Sequence, residues 1–249
     1  MNLLQQDRAP VLLALAGVTI IAWLYLLFVP QSTDMAMREM PGMPEMAMPF
    51  AAPWVFAMWW VMMLGMMLPS AAPMILTFST LQRRKRQREG TSVPTVLFVA
   101  GYLLVWGMFS AAATTAQWAL QRYALLSPAL AVASAVLGGV LFILAGIYQF
   151  TPLKHACLSH CRSPFAFLLN HWRDGWVGAL RMGADHGLYC LGCCRFLMAL
   201  LFAVGVMNLL WVAAIAVFVF AEKLLPAGVW IGRIGGGAMM LFGVWLFAH

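Results

Sequence analysis

The segment HGLYCLGCC, residues 186–194, contains one histidine and three cysteines. With about 100° of rotation per residue, a helix places all four side chains in one stripe about 100° wide: His186, Cys190, Cys193 and Cys194. Four soft or borderline ligands on one face predict a metal site. Two other interpretations stay open. Cys190 and Cys193 have the C-x-x-C spacing of a thiol redox pair, and buried cysteines can also simply pack.

A second segment, KHACLSHC at residues 154–161, adds two histidines and two cysteines. If it is helical, Cys157 and Cys161 lie within about 40° of each other and His160 about 60° from Cys157, whereas His155 points elsewhere. The two cysteine groups are about thirty residues apart, a separation that resembles structural zinc modules. All four residues, His155, Cys157, His160 and Cys161, are therefore candidate ligands, and zinc is one candidate metal.

Six methionines lie in the segment DMAMREMPGMPEMAM, at positions Met35, Met37, Met40, Met43, Met46 and Met48. Thioether sulfur is a soft ligand that selects Cu(I) over harder cations. Pro41, Pro44 and Pro49 disfavour a regular helix, so we expect an exposed, flexible loop. A loop that packs adaptably against lipid or a partner is the alternative. Copper is favoured over zinc because it accounts for the methionines as well as the cysteines.

Further methionines follow in MWWVMMLGMMLPSAAPM, residues 58–74. Met58, Met62 and Met66 are spaced four apart and form one helical stripe, as do Met63 and Met67. These stripes either pack in the core or extend a pathway for a soft metal, for which Met58, Met62 and Met66 are the candidates. Pro69 and Pro73 should free backbone carbonyl groups that then need other partners.

Asp185 could orient a histidine as a carboxylate acceptor, although its side chain points about 100° away from His186.

The composition indicates a membrane protein, because 63% of the 249 residues are hydrophobic and 9% are charged. The formal net charge of +7 is concentrated partly in RRKRQR, residues 83–88. Between two apolar stretches, such a segment favours the cytoplasmic side and anionic lipid, and we expect no nucleic-acid partner. The chain leaves no room for a large soluble domain.

The apolar stretches predict an all-α, polytopic transmembrane bundle with about seven spans, at residues 11–29, 53–76, 93–120, 128–150, 187–206, 207–221 and 228–247. The sixth is short and follows the fifth almost without a loop, so six spans are the alternative. We divide the chain into an N-terminal anchor with the Met-rich loop, residues 1–52, and a metal-binding helical domain, residues 53–249. The first stretch is longer than a signal-peptide core and lacks an A-x-A cleavage site.

Alternation of the spans predicts the topology once the basic loop at residues 82–90 is placed in the cytoplasm. The N-terminus is then cytoplasmic and residues 30–52 are external. Residues 151–186 return to the cytoplasmic side, as does a short loop at Glu222 and Lys223. The cysteine cluster is accordingly expected near the cytoplasmic end of a span that begins at residue 187.

The motifs HG-x-x-C-x-G-C-C and K-H-x-C-x-x-x-C, together with residues 53–249 around them, resemble a bacterial family of predicted metal-binding integral membrane proteins of unknown function. The resemblance implies a multi-pass protein of the bacterial inner membrane. It also implies metal ligation by the motif residues, which are His155, Cys157, Cys161, His186, Cys190, Cys193 and Cys194. The Met-rich loop lies outside the resemblance.

These observations favour a membrane protein for Cu(I) acquisition, delivery or retention, with a small partner protein for hand-over. A membrane oxidoreductase that uses the thiol pair or a copper centre is the first alternative, so enzymatic activity stays open. A subunit for assembly, held together by structural zinc, is the second. The chain has no Walker A or dinucleotide-binding motif, which gives no support to ATP-driven or nicotinamide chemistry.

Overall fold

The computed structural model describes residues 9–38, 52–90, 92–126 and 134–248. These residues form nine α-helices and confirm the all-α fold class. In chain order the helices are α1 Ala9–Arg38, α2 Ala52–Glu89, α3 Thr95–Arg122, α4 Ala135–Tyr148, α5 Pro152–Arg162, α6 Pro164–His171, α7 Gly175–Val204, α8 Leu209–Leu224 and α9 Gly228–Ala248.

Five of these helices are long and apolar enough to cross a membrane: α1, α2, α3, α7 and α9. A sixth span results if the bent pair α4 and α5 crosses as one unit. The described residues therefore give five or six candidate spans, and six is the lower of the two predicted numbers. The predicted sixth span corresponds to α8, whose 16 residues are fewer than the roughly 20 that a bilayer requires.

Three helices extend beyond the predicted boundaries. The first continues past residue 29 to Arg38. The second continues through RRKRQR to Glu89, so the predicted basic loop is mostly helical, because Arg, Lys and Gln are good helix formers. The seventh begins at Gly175 instead of residue 187. Hydropathy marks only the apolar part of a helix, so a helical extension that includes polar residues is missed. The thiols of residues 190–194 thus lie midway along α7.

The chain bends by 66° between α4 and α5. Pro152 occupies the first turn of α5, and the Thr151 hydroxyl accepts a hydrogen bond from Lys154 N at 3.3 Å. A capping threonine followed by proline is a standard start for a new helix, which explains why the predicted fourth span ends here. The bend directs α5 against α7 and brings the first cysteine motif to the second.

Glycines bring α3 and α7 into very close contact. A Cβ atom at Gly101 would lie 2.0 Å from Leu180 O, and one at Gly183 would lie 1.9 Å from Phe98 O. Backbones can approach this closely only where the side chain is hydrogen, as in many membrane helix pairs. The interface fixes Tyr102 of α3 beside the thiol-bearing face of α7.

Pro69 lies inside α2 and, as expected, removes one backbone hydrogen bond of that helix. Because proline has no N–H, the carbonyl of Gly65 one turn earlier loses its usual donor. The indole Nε1 of Trp23 donates to Gly65 O at 3.3 Å instead. The replacement bond crosses from α1 to α2 and helps to hold the N-terminal helix on the bundle.

Candidate metal centre

Thiols from two helices meet in the centre of the bundle. The Cys161 side chain of α5 packs against the buried core that contains Cys190 and Cys193 of α7. On α7 itself, the Cys193 thiol donates to Cys190 O at 3.1 Å and the Cys194 thiol donates to the same oxygen at 2.8 Å. All five cysteines of the chain are free thiols. The three cysteines of α7 are therefore buried together, as their predicted shared face requires. Cys161 of α5 packs beside them.

Lys223 is the charged group of this cluster. Its ammonium lies 2.9 Å from Cys190 Sγ and 3.2 Å from Ser70 Oγ, and its side chain is buried. The sequence placed Lys223 in a short cytoplasmic loop, but α8 continues to Leu224 and turns this side chain inward. An ammonium beside a thiol favours the thiolate, which is the form that binds metal. Tyr102 Oη, 3.2 Å from the same sulfur, adds a second polar contact.

One methionine of α2 borders the thiols. Met67 Sδ lies 4.0 Å from Cys194 Sγ, and Tyr102 Oη donates to Met67 O at 3.2 Å. Of the proposed stripe, Met62 and Met66 are buried in the hydrophobic core and Met58 is half-buried against it. The methionine that contacts a thiol thus belongs to the other stripe, which the sequence did not select.

His186 is buried one turn before Cys190, where its ring stacks at 5.6 Å from the Tyr102 ring and meets Phe167 edge-on at 5.6 Å. Its Nδ1 atom is buried without a hydrogen-bond partner among the described residues. Asp185, which is half-buried, therefore does not orient the histidine through Nδ1. An unpaired buried imidazole nitrogen costs free energy, and a bound ligand would satisfy it.

The other histidines of the first motif do not join the thiols. His160 stacks on Tyr189 with ring centroids 4.2 Å apart, and its Nδ1 bonds to Ala156 O at 2.8 Å. His155 is half-buried and has no contact with a thiol in the described part of the chain. Cys157 is half-buried and packs on α7, since a Cβ atom at Gly192 would lie 2.7 Å from its sulfur.

The Met-rich segment is only partly covered by the structure. Met35 and Met37 fall on the final turns of α1, which are helical where a loop was predicted. The remaining four methionines, Met40, Met43, Met46 and Met48, lie outside the described residues. Within those described residues, no group of three or more histidine, cysteine, aspartate or glutamate side chains is arranged to hold a metal ion, so the thiols of the cluster would have to rotate to bind one.

Comparison with known families identifies the family of this chain. A family model described as PpoB2, copper chaperone, matches residues 56–246. The chain belongs to the PpoB2 copper chaperone family. The match includes all five cysteines and α3 to α8 in full, and it begins after the Met-rich segment. No curated protein and no solved structure matches.

Membership of the PpoB2 family implies copper binding, and the donors at the centre of the bundle fit that metal. Thiol and thioether sulfur are the ligands that select Cu(I), and both kinds are present where Cys190, Cys194 and Met67 come together. The predicted resemblance to a metal-binding membrane family is thereby confirmed at the level of a copper chaperone family.

Several residues around the PpoB2 thiols were not identified from the sequence. Lys223, Ser70 and Tyr102 come from α8, α2 and α3, and no motif links them to the cysteines. One signal was available: a lysine at the end of the apolar run AVFVFAEKLL is costly inside a membrane helix and usually has a function.

Proposed function

We propose that this chain binds Cu(I) in the interior of its helical bundle through Cys161, Cys190 and Cys193, and delivers it to a partner protein. The packing of α5 and its Cys161 against the thiol-bearing helix α7 is the observation that carries the proposal. Two helices, rather than one, then supply the ligands. Binding would cross-link α5 to α7, so the ion would also stabilise the bend between α4 and α5.

Ion binding requires that thiols lose their protons. Cys190 is best prepared for this step because the Lys223 ammonium already contacts its sulfur. Cys193 must give up its hydrogen bond to Cys190 O. Cys194 and Met67 remain as neighbouring soft donors during entry or release.

The charges balance when two of the three proposed ligand cysteines bind Cu(I) as thiolates and the third keeps its proton. The ion and its two thiolates together carry one negative charge, and Lys223 supplies one positive charge beside Cys190. A net charge buried in a low-dielectric interior is strongly unfavourable, so this neutralisation favours Cu(I) over a dipositive ion with the same ligands.

Capture of copper at the Met-rich segment remains part of the proposal. Residues 30–52 would face the outside, and the N-terminus and residues 82–90 the cytoplasm, in a bacterial inner membrane. Support comes from the basic residues of the RRKRQR segment and from the soft ligands of residues 35–48. Because the PpoB2 match begins at residue 56, capture would be a property that the N-terminal region adds to this chain.

Competition for Cu(I) between the reduced, detergent-purified protein and a chromogenic chelator tests the thiol site. We expect Cys190→Ser and Cys193→Ser to weaken binding by at least about 100-fold, since they remove ligands and not merely supporting groups. Cys157→Ser is the matched control, because Cys157 packs on Gly192 at the edge of the cluster, and its affinity should stay near that of the wild type.

Two outcomes would contradict the proposal. One is equal Cu(I) affinity in Cys190→Ser and wild-type protein. The other is zinc, and not copper, as the metal found by elemental analysis of the protein after expression with both metals supplied.

A further inference from the structure

Two histidines lie together, one near the C-terminal end of α5 and one at the C-terminal end of α6. The ring centroids of His160 and His171 are 6.1 Å apart, and the ring planes are nearly perpendicular, at 74°. Both side chains are half-buried. His171 belongs to neither cysteine motif.

Both imidazoles have the same hydrogen-bonding pattern. His160 Nδ1 bonds to Ala156 O at 2.8 Å, and His171 Nδ1 bonds to Phe167 O at 3.0 Å. A carbonyl oxygen can only accept, so in the neutral imidazole Nδ1 carries the proton and Nε2 keeps its lone pair. Neither Nε2 atom has a hydrogen-bond partner among the residues that the structure describes. This arrangement, with Nδ1 donating to a backbone carbonyl, is typical of metal-binding histidines.

The spacing of the rings suits one shared ion. A metal bound to an imidazole nitrogen at about 2.0 Å lies roughly 3 Å from the ring centroid, so two rings on one ion have centroids up to about 6 Å apart. The observed 6.1 Å is at this limit, so the two Nε2 atoms would bind the ion from opposite sides.

The aromatic surroundings hold both rings in place. His160 stacks on Tyr189 at 4.2 Å, and His171 stacks on Phe167 at 4.5 Å. The pair is also joined to the thiol site through the backbone, because His160 precedes Cys161 and Tyr189 precedes Cys190.

We infer that His160 and His171 form a second copper site, through which the ion exchanges with the thiol cluster. The exchange role rests on the proposed function, whereas the binding of a metal by two imidazoles does not. Imidazole binds copper less tightly than thiolate binds Cu(I), so this site suits entry and release instead of storage. Transfer between the sites changes the ligands of the ion and needs no oxidant or reductant.

Sequential titration separates the two sites. The reduced protein is first titrated with Ag(I) until no thiol reacts with a thiol reagent, and Cu²⁺ is then added as a spectroscopic probe of the histidines. We expect about one further Cu²⁺ per chain, with nitrogen couplings in its electron paramagnetic resonance spectrum. His171→Gln should remove these couplings, as should His160→Phe, which keeps a ring on Tyr189.

His155→Gln is the matched control, since His155 shares α5 with His160 but lies apart from the pair, and its spectrum should be unchanged. A wild-type protein without nitrogen-coupled Cu²⁺, or couplings that persist in His171→Gln, would overturn the inference. If the thiol site does not bind metal, the first titration shows this separately, because the thiols then take up no stoichiometric amount of Ag(I).

The exchange role has its own measurement. In His171→Gln, we expect extraction of Cu(I) by a chelator to slow by about tenfold, with the bound amount unchanged. Equal extraction rates in the variant and the wild type would refute that role.

Discussion

Glu222 and Lys223 are neighbours on α8, and both are buried, yet their charges are compensated in different ways. The Glu222 carboxylate is paired with the Lys154 ammonium at 2.6 Å. That ammonium also donates to the side-chain oxygen of Gln149. The Lys223 ammonium contacts a thiol and a hydroxyl, Cys190 Sγ and Ser70 Oγ.

The comparison distinguishes a structural charge from a functional one. The pair of Glu222 and Lys154 joins α8 to α5 and is neutral without any further group. Within the described residues, Lys223 has no carboxylate at ion-pair distance, so the partner that can neutralise it is a thiolate of the cluster. Its positive charge is therefore available to the ligands of a bound ion.

Breaking the Glu222 pair should have the largest effect on stability. Lys154→Met leaves a buried carboxylate without a counter-charge, and we expect a loss of about 3–5 kcal/mol in the free energy of unfolding. Denaturant unfolding in detergent measures this loss. The double variant Lys154→Met with Glu222→Gln removes both charges and should recover most of it. A single variant as stable as the wild type would show that the pair contributes little.

Lys223→Met should reverse the pattern, with a large effect on copper and a smaller one on stability. Loss of a charge-assisted hydrogen bond of about 1.5–3 kcal/mol corresponds to roughly 10- to 100-fold weaker Cu(I) binding. A thiol can stay neutral when the ammonium is removed, so no charge is left stranded. Chelator competition and denaturant unfolding measure the two effects, and the Lys154 and Glu222 double variant should bind copper normally. Unchanged Cu(I) affinity in Lys223→Met would show that the charge of Lys223 does not assist Cu(I) binding.

Lys85 and Asp174 form an ion pair at the surface. Breaking this pair should have the smallest effect on stability of the three changes. Hydrogen bonds from Lys85 and then from the Trp172 indole hold the pKa of Asp174 below its usual value. A carboxyl with a lowered folded-state pKa stabilises the folded protein above its unfolded-state pKa, and this stabilisation is lost as the pH falls through the folded-state pKa. We expect Asp174→Asn to lower the thermal midpoint slightly at neutral pH and not in strong acid, because water screens the pair. A large drop at neutral pH would contradict this.

The periodicity of the sequence predicted the shared face of Cys190, Cys193 and Cys194, because residues on one helix have fixed angular relations. The length of the apolar stretches predicted the all-α fold class, since an uninterrupted apolar stretch long enough to cross a bilayer satisfies its backbone groups within one helix. The start of α7 at Gly175 was missed, because hydropathy does not register a helix that continues through polar residues.

The partners contributed by other helices could not be predicted. Lys223 and Tyr102 reach Cys190 only through the packing of α8 and α3 on the bundle. His171 meets His160 because the chain turns between α5 and α6, at Ser163. The choice between the methionine stripes likewise depended on the rotation of α2 about its axis, which places Met67 at Cys194.

The glycine contact between α3 and α7 governs how the site can respond to an ion. With Gly101 against Leu180 and Gly183 against Phe98, neither helix can rotate about its axis without a backbone collision. Tyr102 and the thiols of α7 are thus held in register, so in the proposed mechanism an arriving copper ion would order side chains but not helices. Preorganisation of this kind lowers the entropic cost of binding, and it would let the chain release copper without remodelling its fold.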